Sequence, residues 1–393
     1  MRIVLLTETF SSKMGYLQNS LPKYLARHGA EVHVISMNLS PYHSLADRAL
    51  GAFTERLVPG HREEIDGYHL HVLAHEIRLG YPRMIELDDI LASIRPDIVQ
   101  CQASIGWIPF DAARLRLRFG YKLFSGNHNA MSTARAGLGT DSSILRRGKA
   151  FLTRFLPGRL TSYHVVKCYA VTCDCAEIAW RYYGVQRRKV ITMHLGVDTD
   201  YFFPNRSAET ERERTDLRKD LGFAPEDIVC VYSGKMTEEK NALIVAQAVN
   251  RIRKMGIPYS ALFIGNGVQQ ERIRNLEHCR VLDFMHFSKL GAYYRASEIG
   301  VWPTNESTSM LDAAACGIPL IISDGVIYRE HIDGNGLVYH MNDLDDLISK
   351  LLELRSPEVR RRLGSYGAEK MVRDFSWEAV ARKRLNDYRD ALC

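Results

Sequence analysis

Apolar and polar positions alternate along the chain in two registers. Compact strand-like runs occur at Ile3–Leu6, Glu31–Ser36, Asp97–Cys101, Lys122–Ser125, Tyr169–Cys173 and Val190–Met193. Between them, Leu17–Arg27 and Trp107–Arg118 carry apolar residues at helical spacing, the former ending at His28-Gly29. Strands that alternate with helices predict a parallel sheet covered on both faces. The pattern then restarts. Ile228–Ser233, Ser260–Ile264, Val281–Phe284, Gly300–Trp302 and Leu320–Ile322 read as strands, and Asn241–Met255, Leu344–Leu354, Pro357–Arg373 and Ser376–Leu392 as helices. The fold class is therefore α/β, with two doubly wound Rossmann-like domains joined near Gly196–Arg206 and a charged stretch, Glu209–Asp220, opening the second. The divisions expected are residues 1–198, 199–374 and a final segment 375–393. In such sheets ligands bind beyond the carboxyl ends of the strands, and a cleft between two domains is the default site.

Composition narrows the class. A length of 393 residues exceeds one ordinary core, which agrees with two domains. The chain is 46% hydrophobic and 25% charged, as expected of a soluble globular protein and not of a disordered one. A formal net charge of +6 permits an anionic ligand or membrane surface without requiring either. No apolar run approaches bilayer-spanning length. The first residues enter a strand pattern directly, with no signal-peptide pattern. Most of the eight cysteines lie in apolar runs, which suits reduced thiols and a cytoplasmic location. Cys173 and Cys175 have no second metal-type pair. Basic residues are scattered, without an aromatic-basic motif, so nucleic acid is not an expected partner.

The candidate chemistry sits in turns after strands. Val301–Asp324 reads as a buried strand, a polar turn carrying Glu306, a helix opening near Ser309, and a second strand. The backbone amides of Ser309, Met310 and Leu311 are candidates to hold a phosphate, with Asp312 a turn inside to reach ligand hydroxyls. An acid in a first helical turn is also favoured by the helix dipole alone. Gly15, in Thr7–Leu17, would let backbone approach a phosphate ahead of a helix. Gly234 and Lys235 through Lys240 place two lysines around one turn, either as a diphosphate clamp or as a solvated charged loop. Gly265-Asn266-Gly267 can pass close to a base or ribose, or be a tight turn. It is not a dinucleotide fingerprint. His128 ends a strand of the first domain and is a candidate to face the cleft, whereas His33, His69 and His71 look like strand surface positions. Asp198-Thr199-Asp200 spells a DxD but reads as a turn, and no acid/His cluster has ligand spacing.

Taken in order, these turns resemble glycosyltransferase family 4, retaining enzymes of GT-B architecture. Leu195-Gly196-Val197-Asp198 through Phe203-Pro204 is similar to the family's linker signature, Gly234-Lys235 through Lys240 to its GR-x4-K clamp, Phe263–Gly267 to its IGxG turn, and Leu311–Pro319 to its LEAMACGxP helix. Phe375-Ser376-Trp377 resembles the C-terminal segment that crosses back to the first domain. The resemblance implies a nucleoside-diphosphate sugar as donor substrate, with neither cofactor nor metal. It implies Lys235 and Lys240 on the diphosphate, Asp312 on the ribose, Gly15 in the N-terminal glycine loop, and His128 near the donor sugar. Catalysis would fall to His128, Glu306 and Lys240. Three departures stand out. Lys235 replaces an arginine, keeping charge but losing a bidentate fork. Asp312 replaces a glutamate. Glu306 lies six residues before Asp312 instead of eight, so it is either the family's first acid on a shortened loop or that acid is absent.

The implied reaction is sugar transfer to a hydroxyl with retention of anomeric configuration. Met131–Lys167 interleaves Arg135, Arg146, Arg147, Lys149, Arg154 and Arg159 with Ile144, Leu145, Phe151, Leu152, Phe155 and Leu156. It reads as an amphipathic basic surface for anionic lipid and a lipid-linked glycan acceptor, or as a helix packing its apolar face on its own domain. The first alternative places the protein peripherally on the inner face of the cell membrane, in surface-glycan assembly. A sugar-nucleotide epimerase of the same architecture and a non-catalytic nucleotide-sugar-binding subunit are the competing readings.

Overall fold

The computed structural model describes residues 1–12, 15–39, 57–129, 131, 144–327 and 329–393. The chain divides into two compact units, Met1–Leu195 with Val380–Cys393, and Gly196–Ala379.

In the first unit the strands are β1 (Arg2–Thr9), β2 (Glu31–Leu39), β3 (Arg62–Ile65), β4 (Tyr68–Leu73), β5 (His75–Arg78), β6 (Tyr81–Met84), β7 (Ile98–Cys101), β8 (Lys122–Asn127), β9 (Val165–Ala170) and β10 (Val190–Thr192). Eight form one sheet in the order β10-β9-β8-β7-β1-β2-β4-β3, parallel except for the edge pair β3–β4. The order reverses between β1 and β7, where Leu5 pairs with Val34 on one side and Gln100 on the other. β5 and β6 form a separate hairpin. Trp107 fixes it by donating from its indole to the Arg78 carbonyl (2.7 Å), while Arg83 pairs with the buried Asp111 (2.7 Å). Arg62–Ile65 and His75–Arg78 are strands that the sequence pattern does not reveal, because charged residues interrupt them.

The strand expected at Tyr169–Cys173 lies earlier, at Val165–Ala170, and Cys173 instead opens a helix capped by Thr172. His33, His69 and His71 lie on strands as expected, but His69 and His71 are half-buried and His33 is not at the surface. His33 is buried, its ring stacks on both neighbours, and its Nδ1 lies 3.0 Å from His71 Nε2. Six of the eight cysteines are buried, and all eight are free thiols.

The second unit holds β11 (Ile228–Ser233), β12 (Tyr259–Ile264), β13 (Cys279–Leu282), β14 (Ile299–Trp302), β15 (Leu320–Ser323) and β16 (Gly336–Tyr339). All pair in parallel in the order β13-β12-β11-β14-β15-β16. β11 and β12 are buried at every position, as a doubly covered sheet requires. The stretch Glu209–Asp220 lies wholly within the helix Ala208–Asp220, capped by Ser207 and tied to the start of β14 through Arg218 and Glu298 (3.0 Å). Asp198 makes an Asx turn, accepting from the Asp200 amide at 3.1 Å, and Val197 pairs with Ser376. A Cβ on Gly196 would stand 2.6 Å from Trp377 Cδ2, so glycine is required beside that indole.

The His33–His71 pair makes the first unit acid-sensitive. Burial is the largest cause lowering both pKa values, that of His71 to about 4. The folded protein thus binds protons less readily than the unfolded chain. The pair's stabilisation is present above the unfolded histidine pKa and is lost as pH falls from about 6.5 toward 4. Urea titrations across that window will show a stability loss on the order of 1 kcal/mol that His33→Asn/His71→Asn lacks.

Candidate active site

The reversal of strand order in the second unit falls between β11 and β14, and the turns leaving these two strands meet there. β11 ends at Ser233 and runs into Gly234, whose amide bonds to the Ile264 carbonyl (3.0 Å). Gly265 and Gly267 are explained by backbone approach. A Cβ on Gly265 would lie 2.1 Å from the Gly234 oxygen, and one on Gly267 2.4 Å from the Met236 oxygen. Met236 then exchanges hydrogen bonds with the neighbouring loop, donating to the Asn266 carbonyl and accepting from the Gln269 amide, both at 2.9 Å. The Gly-Asn-Gly turn is thus the wall on which the lysine turn rests.

On that wall Lys235 is exposed and Lys240 half-buried. Tyr232, in the core, fixes the turn by donating to the Lys235 carbonyl (2.7 Å). The Lys240 ammonium donates to Asn305 Oδ1. Burial is the largest influence on Lys240 and lowers its pKa; Glu239 and Glu306 oppose the drop, and Lys235 adds to it. Two cations and the β14 turn therefore share one electrostatic neighbourhood. Asn305, which the sequence reading did not single out, is its hub: its carboxamide also faces Thr304 (3.3 Å) and Glu239 (3.5 Å).

Glu306 follows directly, and its Oε1 accepts from the Ile327 amide (3.2 Å). The helix Ser309–Ala315 opens where expected. Its first amides are partly occupied, since Met310 bonds back to Ser307 and Leu311 to Thr308. The side chains of Met310 and Leu311 are buried in the core, so only their backbone is available to a ligand. Ser309 ties the two turns together. Its hydroxyl lies 3.0 Å from the donating Trp302 indole, 2.7 Å from Ser307 Oγ and 3.3 Å from the Ser233 carbonyl.

Asp312 lies in the same helix with a half-buried carboxyl. Burial, then the nearby Asp198 carboxylate, hold its pKa well above the ordinary carboxylate range. Among the described residues its side chain has no hydrogen bond or ion pair. A carboxyl whose protonated form is favoured in this way can donate to as well as accept from ligand hydroxyls.

Gly15 and His128 belong to the first unit. Gly15 is exposed, just ahead of the helix Leu17–Arg27, with residues 13 and 14 outside the described ones. His128 directly follows β8. Its ring meets solvent, yet crowding by protein, and then the Arg384 charge, lower its pKa, so the imidazole is neutral at neutral pH. Asn127 and Asn129 brace the turn around it, through the Cys175 carbonyl (2.7 Å) and the Tyr183 hydroxyl (3.0 Å). Among the described residues no group of three His, Cys, Asp or Glu side chains is arranged to hold a metal ion.

Gly265→Ala forces its methyl into the Gly234 carbonyl, so the variant will lose about 1–3 kcal/mol of stability in denaturant titrations. Gly256→Ala, with nothing near its Cβ but a positive φ, is the control for backbone conformation alone.

Residues 20–201 match the family model described as Glycosyltransferase Family 4, and residues 227–356 the one described as Glycosyl transferases group 1. The D-inositol 3-phosphate glycosyltransferase of Geodermatophilus obscurus is 28% identical over 240 residues, 56% of this chain and 51% of that protein. The chain thus spans about half the length of that curated relative. The sucrose-phosphate synthase of Thermosynechococcus elongatus superposes with a TM-score of 0.69 at 16% identity, covering 99% of this chain and 98% of the other. The Anabaena protein HepE, solved in complex with UDP, superposes with a TM-score of 0.68 at 13% identity, covering 99% and 100%. Two Rossmann-like units, the turns at their strand ends and both family models assign the chain to the family 4 glycosyltransferases of GT-B architecture.

Proposed function

We propose that this glycosyltransferase moves a sugar from a nucleoside-diphosphate sugar to a hydroxyl, retaining the anomeric configuration and using no metal or resident cofactor. The observation that carries the reading is the meeting of Lys235 and Lys240 with Asn305 and Glu306 at the switch point of the second sheet. The barrier to glycosyl transfer is departure of a diphosphate from an oxocarbenium-like centre. Fixed ammonium groups in a partly desolvated turn stabilise that charge as it develops. Asn305 accepts from the Lys240 ammonium before a ligand arrives, and the diphosphate then takes over as its partner. Asp312, whose pKa is raised and whose side chain has no hydrogen bond or ion pair among the described residues, is suited to the ribose hydroxyls. His128, in the first unit and neutral, is suited to a sugar hydroxyl. Retention by front-face attack sends the acceptor proton to the leaving phosphate, so no strong base is required.

The acceptor in this reading is a hydroxyl of a lipid-linked glycan used in bacterial surface-glycan assembly, reached from the cytoplasmic side of the membrane. Its support is the basic, apolar segment Ile144–His164 of the first unit.

One observation favours a second reading, a binding subunit without turnover. The Glu306 carboxylate is engaged by the Ile327 amide, and its spacing to Asp312 is short. Thermal-shift measurements with a panel of sugar nucleotides will identify the donor, because a ligand that binds only the native state raises its melting temperature. Lys240→Ala will then lower kcat about 10²–10³-fold with an unchanged melting temperature of the free protein. Near-normal turnover by this variant removes the clamp. Donor binding without turnover in the wild-type protein, with lipid-linked acceptors supplied, supports the binding subunit instead. Conversion of the donor alone marks an epimerase.

A further inference from the structure

Residues 144–164 form one continuous helical rod: Ile144–Ala150, a wider π-turn at Phe151–Phe155, and Leu156–His164. The π-turn precedes Pro157, which has no amide to donate. Arg135 lies outside the described residues, as do the side chains of Leu145 and Arg146.

The rod is packed on its small and polar side. A Cβ on Gly158 would lie 1.9 Å from the Tyr183 oxygen, and one on Gly184 2.2 Å from the Phe155 oxygen. Thr161 and Ser162 are buried. Ser162 Oγ accepts from the Gln186 amide (2.9 Å), and Lys189 caps the end, donating to the carbonyls of Ser162 and Val165 at 2.7 Å each.

The apolar side is therefore left outside. Leu152 (62% exposed), Leu156 (40%), Leu160 (52%) and Tyr163 (62%) recur every three or four residues and make one stripe along the rod. Phe151 and Ile144 are also exposed. Arg147 and Lys149 flank this side in solvent, and the Arg159 guanidinium lies over the Tyr163 ring at 5.7 Å. The expectation that such a helix turns its apolar face onto its own domain is reversed here, because glycine and hydroxyl residues allow the close approach that leucines would prevent.

We propose that this stripe is a docking surface for an anionic lipid bilayer, with the rod lying in the plane of the interface. The leucines and Tyr163 enter the acyl boundary, and the guanidinium and ammonium groups remain at the level of the headgroups. Charge selects this occupant over a second copy of the chain. The segment carries five Lys/Arg and no Asp or Glu, so stripe-to-stripe pairing would bring like charges together. A surface of anionic headgroups neutralises the same charges. The docking stands whatever sugar is transferred; its bearing on a lipid-linked acceptor rests on the function proposed above.

Vesicle flotation of the full chain tests this without any transferase assay. Wild-type protein will float with phosphatidylcholine/phosphatidylglycerol vesicles at low salt, and much less with phosphatidylcholine alone or at high salt. Leu152→Gln/Leu156→Gln/Leu160→Gln will bind at least about tenfold more weakly with an unchanged melting temperature. Arg147→Gln/Lys149→Gln will lose about fivefold per charge on the anionic vesicles only. If the triple variant does not fold, Leu156→Trp replaces it, and its added emission must shift to the blue when anionic vesicles are supplied. The proposal is overturned if the wild-type protein stays at the bottom of the low-salt gradient. It is equally overturned if the triple variant floats like wild type, if the tryptophan does not respond, or if light scattering finds a wild-type dimer that the triple variant converts to monomer.

Discussion

Lys240 carries its charge partly out of water, and a desolvated ammonium is stable only beside something negative. Asn305 supplies no more than the dipole of a carboxamide, and Glu239 and Glu306 add longer-range attraction. The turn is therefore left with attraction for an anion, which a diphosphate can meet. Its position depends on the sheet. Because the strand order reverses between β11 and β14, the connections leaving the two strands diverge to opposite faces, and the lysine turn and the Asn305–Glu306 turn border the resulting crevice. Gly265 and Gly267 complete the arrangement, since only residues without a side chain let the β12 turn press against the backbone that presents the lysines.

Much of this was legible in the residues because parallel, doubly covered strands leave a strong trace. Ile228–Ser233 and the helix Leu17–Arg27 have the bounds their patterns predict. Strands at sheet edges leave a weaker trace. In Arg62–Ile65 and His75–Arg78 charged residues face solvent, and alternation is lost within four positions. The site was legible in part for a related reason. Lysines and glycines around a turn mark themselves by type, whereas Asn305 is an ordinary polar turn residue until its partner in the other turn is known. The raised pKa of Asp312 likewise comes from burial and from Asp198, which lies more than a hundred residues earlier in the chain. For Ile144–His164, periodicity located an apolar stripe and could not say which side of the helix packs. That was decided by Gly158 and Gly184, whose packing partners are not local.

The first unit contains its own example of a distant residue setting local chemistry. Arg384 is buried with its guanidinium 3.4 Å from the centre of the Tyr169 ring and donates to Gln100 Oε1 at 2.7 Å. No carboxylate contacts it at ion-pair distance among the described residues, so its charge extends beyond its neighbours and reaches His128, where it disfavours a second cation. The helix that carries Arg384 also pairs Asp387 with Lys167 (2.5 Å) and Tyr169 (2.9 Å).

That helix has a consequence for the order in which the molecule assembles. Val380, Ala381, Leu385 and Tyr388 are core residues of the first unit, yet the whole second unit precedes them in the chain. During synthesis the ribosome can deliver every strand of the first sheet and still leave part of one face, around Gln100, Phe124 and Tyr169, uncovered. That part stays open while Gly196–Ala379 emerges and folds, and closes only when the residues from Val380 onward are released. The half of the protein made first is thus the half finished last, and a chaperone engaging the nascent chain would find its exposed apolar surface there.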